Sequence, residues 1–387
     1  MGTRAPVGRA CALLALVLAA TACAIPSARA AGMRAAAPAS VGAGWARGLA
    51  QTDPDVYYRE LRGVYANHQQ GASAAERARS PLPADPDRVL HLVRPGDTDP
   101  AIDQFLQDHY ALVSRAVPQN GALFVFFPGT YARPREYQWL LDEAAGRGYH
   151  VVGLEYPDMT DNPRQSAVAQ LCGRDPDPDC AGRVRQARLS GGEVPGKLSV
   201  TPANAISNRL VRVLEYLARQ YPGEGWDGFA EGDTIDWTRM AVGGHSQGAG
   251  VAAFIAQQQP VARVALWSGP ADYVRAADAY AAWMRTPSAT PPDRYYGLAH
   301  AQEQGAARIL GGLATLGLDQ FGPPVTLSGD QAPPAGARTL VLTLPHQPTA
   351  LPSPDPYHDS TATDRMTPLA TDGRPAYRAA WDALLGP

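Results

Sequence analysis

The chain has 387 residues, 45% of them hydrophobic, with a formal net charge of −3, 38 glycines and 36 prolines. That is enough apolar material for a substantial buried core, and a near-neutral balance without any Lys/Arg run gives no sign of a nucleic-acid-binding surface. The Gly and Pro content suits a loop-rich enzyme rather than a helical bundle.

The first thirty residues read as an export leader. Arg4 and Arg9 precede the apolar stretch 10–20, which is short for a bilayer span, and Ala28-Arg29-Ala30 offers a small-x-small cleavage site. A secreted or periplasmic protein is expected. The alternative is a lipoprotein, because Ala20-Thr21-Ala22-Cys23 resembles a lipobox that would anchor the chain to a membrane through Cys23. Residues 31–87 read as an N-terminal extension, partly flexible, with a short helix around 57–67. With Cys11 and Cys23 in the leader, Cys172 and Cys180 remain, and in an oxidising compartment they are expected to form a disulfide closing an acid-rich surface loop.

Regular alternation starts at residue 88 and runs to 387. Val89–Val93 and the continuous apolar run 121–127 predict strands, the second covered on both faces. A helix over 136–147, a strand over 151–157 and an amphipathic helix over 208–220 follow, with a disulfide-stapled insertion at 165–200 between the last two. Next come the apolar strand around Met240-Ala241-Val242, Gly244-His245-Ser246-Gln247-Gly248, and a small-residue helix over 249–256. The remaining expected elements are a strand at 261–267, a helix at 271–285 inside a possible cap at 271–294, a strand at 295–300, a helix at 306–316, a strand at 338–344 and a closing helix at 376–385. Such alternation implies an α/β architecture, a mostly parallel sheet with helices on both faces.

The glycines two before and two after Ser246 are what a tight strand-to-helix turn needs, since side chains there would strike neighbouring backbone. Its apex would present a lone hydroxyl. In this context Gly244–Gly248, with Phe127-Pro128-Gly129-Thr130 and Ser268-Gly269-Pro270-Ala271-Asp272, resembles the α/β-hydrolase superfamily over residues 88–387, and within it exported bacterial hydrolases. The chain departs from the lipase and esterase pattern in carrying Pro128-Gly129-Thr130 where many members have His-Gly-Gly-Gly.

The resemblance implies a Ser, acid, His order. Ser246 is then the nucleophile, and the base lies after the last strand: His358, in a polar loop able to fold back over the sheet, is preferred to His346, which sits too close to its strand. Two carboxylates qualify as the acid, Glu303 if 295–300 is a strand and Asp272 if that segment belongs to a cap. The backbone N–H groups of Gln247 and Thr130 are the expected oxyanion donors. No cofactor or metal is called for. Trp267, Tyr273, Tyr280 and Trp283 either line a substrate pocket or pack a helix on the sheet. The expected activity is hydrolysis of a small-molecule or lipid carboxylic ester; acyl transfer on the same machinery and an inactive binding protein with this fold are the alternatives.

Overall fold

The computed structural model describes residues 54–348 and 353–386, with side chains from Leu61 onward. The expected leader and Cys23 lie outside the described residues. No helix among the described residues is long and apolar enough to cross a membrane.

Nine strands form one sheet: β1 (Arg88–Val93), β2 (His109–Ser114), β3 (Leu123–Phe127), β4 (His150–Gly153), β5 (Met240–His245), β6 (Arg263–Trp267), β7 (Tyr295–His300), β8 (Val325–Leu327) and β9 (Thr339–Leu342). Their spatial order is β1-β2-β4-β3-β5-β6-β7-β9-β8. Pairing is antiparallel between β1 and β2 and between β2 and β4, and parallel from β4 to β8. β3 lies between β4 and β5 with all five residues buried, as a strand covered on both faces must be.

Seven helices of eight residues or more accompany the sheet: α1 (Pro54–His68), α2 (Gln138–Gly146), α3 (Cys180–Ser190), α4 (Ile206–Gln220), α5 (Gln247–Gln258), α6 (Ala306–Thr315) and α7 (Arg378–Leu385). One core joins β3 and β5 to α3, α4 and α5 through Val125, Val242, Val184, Leu210, Leu214 and Ile255. The other, on the opposite face, joins Phe124, Phe126 and Trp267 to α2 and α7 through Leu140, Leu141 and Trp381. Alternate residues of β3 thus feed opposite cores, the period-2 consequence of strand geometry.

The strands expected at 89–93, 121–127, 261–267, 295–300 and 338–344 and the helices at 136–147, 208–220, 306–316 and 376–385 are present with ends within two residues of expectation, and the strand expected at 151–157 runs from His150 only to Gly153. The helix expected over 271–285 is not. Tyr273–Val274 pairs antiparallel with Ala279–Tyr280 around Asp278, whose φ is 48°, and a 3-10 turn follows at Ala282–Arg285. The apolar spacing there serves a hairpin in which Tyr273 packs edge-on to Tyr280. Residues 165–200 contain a short helix (Val168–Cys172), α3 and a hairpin (Gly192–Val194, Leu198–Val200), with a Cys172–Cys180 disulfide joining the two helices. The segment set apart as an extension packs with the rest from α1 onward: buried His68 bonds Glu155, and Gln107 Nε2 donates to the Asn67 and Gln70 carbonyls.

Candidate functional site

Ser246 stands at the carboxyl end of β5, on the single residue between strand and helix. Its φ of 57° and ψ of −117° lie outside the ordinary regions for an L side chain. Its N–H donates to the Trp267 carbonyl at 2.8 Å. The turn closes only because two positions lack side chains. A Cβ on Gly244 would overlap the Gly248 backbone, and one on Gly248 would overlap the carbonyl oxygens of Phe127 and Pro128. The Gly-x-Ser-x-Gly spacing is therefore a steric requirement of β5 passing straight into α5 beside β3.

His358 comes from the opposite end of the chain. It lies on the short helix Pro356–Asp359, whose N-terminus is capped by Asp355 accepting from the His358 N–H at 3.2 Å. His358 Nδ1 is 2.5 Å from Glu303 Oε2. A carboxylate only accepts, so Nδ1 carries the proton and Nε2 is left as the basic atom. Glu303 follows β7 and is fixed through its other oxygen, which accepts from the His300 N–H at 2.7 Å and from Ser268 Oγ at 3.1 Å. Burial opposes charging of His358, but the Glu303 hydrogen bond and the nearby Asp359 and Asp355 carboxylates outweigh it and raise its pKa to about 9.

Asp272, the other candidate acid, is engaged elsewhere. Both of its oxygens are 2.6 Å from the Arg185 guanidinium, and Oδ2 also accepts from Trp283 Nε1 at 3.0 Å. Arg185 lies against the Gly250 backbone and reaches the Gln247 carbonyl, so this buried pair braces the first turn of α5. His346 bonds the Gln347 carbonyl and packs on Tyr357, outside the Ser246 cavity.

The loop after β3 passes in front of Ser246. Three of its amides have acceptors: Gly129 N–H on Tyr137 Oη, Tyr131 N–H on Asp158 Oδ2, and Ala132 N–H on the Gly129 carbonyl. Thr130 N–H has none among the described residues, and Gln247 N–H is the first, unpaired amide of α5. Asp158 is wholly buried, and that burial lifts its pKa to about 7 against the pull of His68.

His245 forms a strut that the sequence did not disclose. Gly129 N–H donates to Tyr137 Oη, so the Tyr137 O–H is free to donate to His245 Nδ1 at 3.0 Å. His245 Nε2–H then donates to the His358 carbonyl at 3.1 Å. Burial first, and the neighbouring His358 second, lower the pKa of His245 to about 3, so it stays neutral with the proton on Nε2. One chain of hydrogen bonds thus ties the loop after β3, the residue before Ser246 and the backbone of His358.

Ser246 and His358 open on a cavity of about 830 Å³, together with Gly129, Thr130 and His245. Among the described residues no hydrogen bond joins Ser246 Oγ to His358. The far wall comes from the N-terminal segment: Leu61, Val64, Asn67 and His68 of α1, and Glu76. None of Trp267, Tyr273, Tyr280 or Trp283 reaches this cavity. Trp267 is core packing between Phe124 and Phe126, and Trp283 packs on Phe254. Among the described residues no three His, Cys, Asp or Glu side chains are grouped to hold a metal ion.

No family model and no curated protein matches the chain. Solved structures similar to it include a bacterial heroin esterase, at 13% identity and TM-score 0.35, over 77% of this chain and 86% of that one. A putative dienelactone hydrolase from Klebsiella pneumoniae subsp. pneumoniae matches at 11% identity and TM-score 0.35, over 67% and 85%. EstE5, soaked with p-nitrophenyl butyrate, matches at 12% identity and TM-score 0.32, over 75% and 80%. Independently of these remote likenesses, a sheet ordered β1-β2-β4-β3-β5-β6-β7, with β2 antiparallel and a serine on the sharp turn from β5 into α5, gives the chain the α/β-hydrolase fold.

Proposed function

We propose that the protein is an exported serine hydrolase that cleaves carboxylic esters through an acyl-enzyme at Ser246. The observation that carries this reading is the His358–Glu303 hydrogen bond on the cavity that also holds Ser246 at a strained turn. Ester binding brings the Ser246 hydroxyl against His358 Nε2, a contact that tightens on substrate binding in such sites. His358 takes the proton as Oγ attacks the carbonyl carbon, and Glu303 stabilises the resulting imidazolium. The amides of Gln247 and Thr130, with the N-terminal dipole of α5, receive the negative oxygen. His358 returns the proton to the departing alkoxide. A water molecule, deprotonated by the same nitrogen, then releases the acid and restores Ser246.

The test is labelling of the purified protein by a fluorophosphonate, beside Ser246→Ala. Labelling and p-nitrophenyl acetate hydrolysis are both expected, and both vanish in the variant while the circular dichroism spectrum is retained. Undiminished hydrolysis by Ser246→Ala would overturn the mechanism.

A further inference from the structure

The cavity in front of Ser246 is the wrong lining for a long acyl chain. Among the described residues its aliphatic side chains are few, Leu61 and Val64 on α1, Ala132 and Pro354, and the rings of Tyr131 and Tyr137 complete its apolar part. A methylene chain gains only where apolar surface replaces water around it, and the aliphatic patch among these residues is small. The rest is polar and held in place. Arg133 donates to Asn67 Oδ1 at 3.2 Å, Glu76 Oε1 at 3.1 Å and Glu136 Oε1 at 3.1 Å, fixing one array of donors and acceptors. Across the cavity Arg365 pairs with Asp359 at 3.2 Å, beside His358.

These groups leave an excess of negative charge, with Glu76, Glu136, Asp355 and Asp359 set against two arginines. Both cavity arginines face carboxylates, and with four carboxylates against two guanidinium groups the lining disfavours a phosphate or carboxylate ligand. Carboxylates that accept, guanidinium groups that donate and an amide that does both suit ligands whose groups both give and receive hydrogen bonds, which is the property of hydroxyls. Two further atoms fit the same ligand. His68 Nε2 and Thr130 Oγ1 belong to cavity residues, are buried, and have no hydrogen-bond partner among the described residues, whereas buried polar atoms are normally paired.

We infer that the substrate is a short-chain ester of a neutral, hydroxyl-rich alcohol, a sugar or polyol, whose hydroxyls are held by the wall of Asn67, Arg133 and Arg365. This rests on the hydrolase reading above and adds the alcohol that Ser246 releases. The ester oxygen leaves as the sugar alkoxide, takes the proton held by His358 and departs as the free hydroxyl, so each turnover consumes one water and yields one acid and one alcohol.

The test uses two acetates of primary alcohols on six-membered rings, methyl 6-O-acetyl-glucopyranoside and cyclohexylmethyl acetate, which differ in the ring oxygen, methoxy group and hydroxyls. Rates are followed by pH-stat on enzyme counted with a fluorophosphonate. The sugar ester is expected to lead in kcat/KM by tenfold or more, and p-nitrophenyl acetate to exceed p-nitrophenyl dodecanoate. Asn67→Leu, and independently Arg365→Met, should each reduce the sugar-ester advantage by threefold or more; Arg365 is exposed enough that its variant keeps the fold. Equal rates on the two acetates, a faster dodecanoate, or an advantage untouched by both variants would overturn the inference while labelling at Ser246 stood. No labelling at Ser246 would instead remove the hydrolase reading itself.

Discussion

Replacing Glu303 by Gln separates the two candidate acids more sharply than any other change. Glu303 has no exposed side-chain surface, and its Oε1 already serves two donors, the His300 amide and Ser268 Oγ. In the variant the amide oxygen stays with those donors, which turns the NH2 toward His358 Nδ1. An acceptor becomes a donor there, so the imidazole must place its proton on Nε2 and can no longer receive one from Ser246. Losing the correct tautomer in a serine triad costs about 10⁴-fold in kcat, and here a fall of about 10³- to 10⁴-fold is expected, roughly 4–5.5 kcal/mol. Asp272→Asn should behave differently. It breaks a buried ion pair with Arg185, which costs about 3–5 kcal/mol of stability, yet leaves His358 and Glu303 untouched. The assay is p-nitrophenyl acetate hydrolysis normalised to sites titrated by fluorophosphonate, with urea unfolding in parallel. If Glu303→Gln keeps more than a tenth of the activity per site, or Asp272→Asn loses as much, the assignment of Glu303 fails.

The raised pKa of His358 predicts that kcat/KM climbs with pH to a midpoint of about 9, because the base acts only when deprotonated. Asp359→Asn removes one of the carboxylates responsible, and the pH–rate profile should shift to lower pH; an unmoved limb refutes the attribution. Since His358 binds its proton more tightly folded than unfolded, the associated stability is full below its ordinary value near 6.5 and fades as pH rises through about 9, which thermal melts at pH 6 and 10 would register as a lower melting temperature at the higher pH. Tyr137→Phe leaves the Gly129 N–H and His245 Nδ1 without their partner; stability should fall by about 1–3 kcal/mol and kcat by more than KM rises, as steady-state kinetics would reveal. Gly248→Ala drives a methyl into the carbonyls of Phe127 and Pro128, and soluble expression should collapse, whereas Gly63→Ala, with nothing within 4 Å of the added carbon, should not.

Periodicity carries information about elements that bury a face, and those were legible: β3, β7, α4 and the turn at Ser246 all stand where apolar spacing and glycines place them. β2 was missed although five of its six residues are buried, because His109 and Tyr110 break the apolar run that would mark it. β8 is three residues long, too short for any period. The hairpin at 273–280 has the composition of a helix, and what decides it is a turn at Asp278 and two tyrosines that meet across it. Ser246 was legible because its neighbours must be glycines, a constraint written locally. The choice between Glu303 and Asp272 was not local. It depends on Arg185, 87 residues before Asp272, occupying one carboxylate and leaving the other for His358. The same holds for His68, an unremarkable helix residue until the fold brings it to Glu155.

The proposed reacting groups and the surface that faces them come from unrelated stretches of chain. Ser246 and Glu303 follow strands of the sheet and His358 lies on a short helix beyond the last strand, whereas Leu61, Val64, Asn67 and His68 belong to one helix ahead of the first strand. None of those four takes part in sheet pairing or in the sterically locked turn. Substitutions at Leu61 and Val64 leave the His358–Glu303 hydrogen bond and the turn at Ser246 untouched, whereas His68 is held to Glu155 in a buried pair. Preference and proposed chemistry are thereby uncoupled: changes at Leu61 and Val64 of α1 can alter what the cavity accepts while the turn at Ser246 stays as it is.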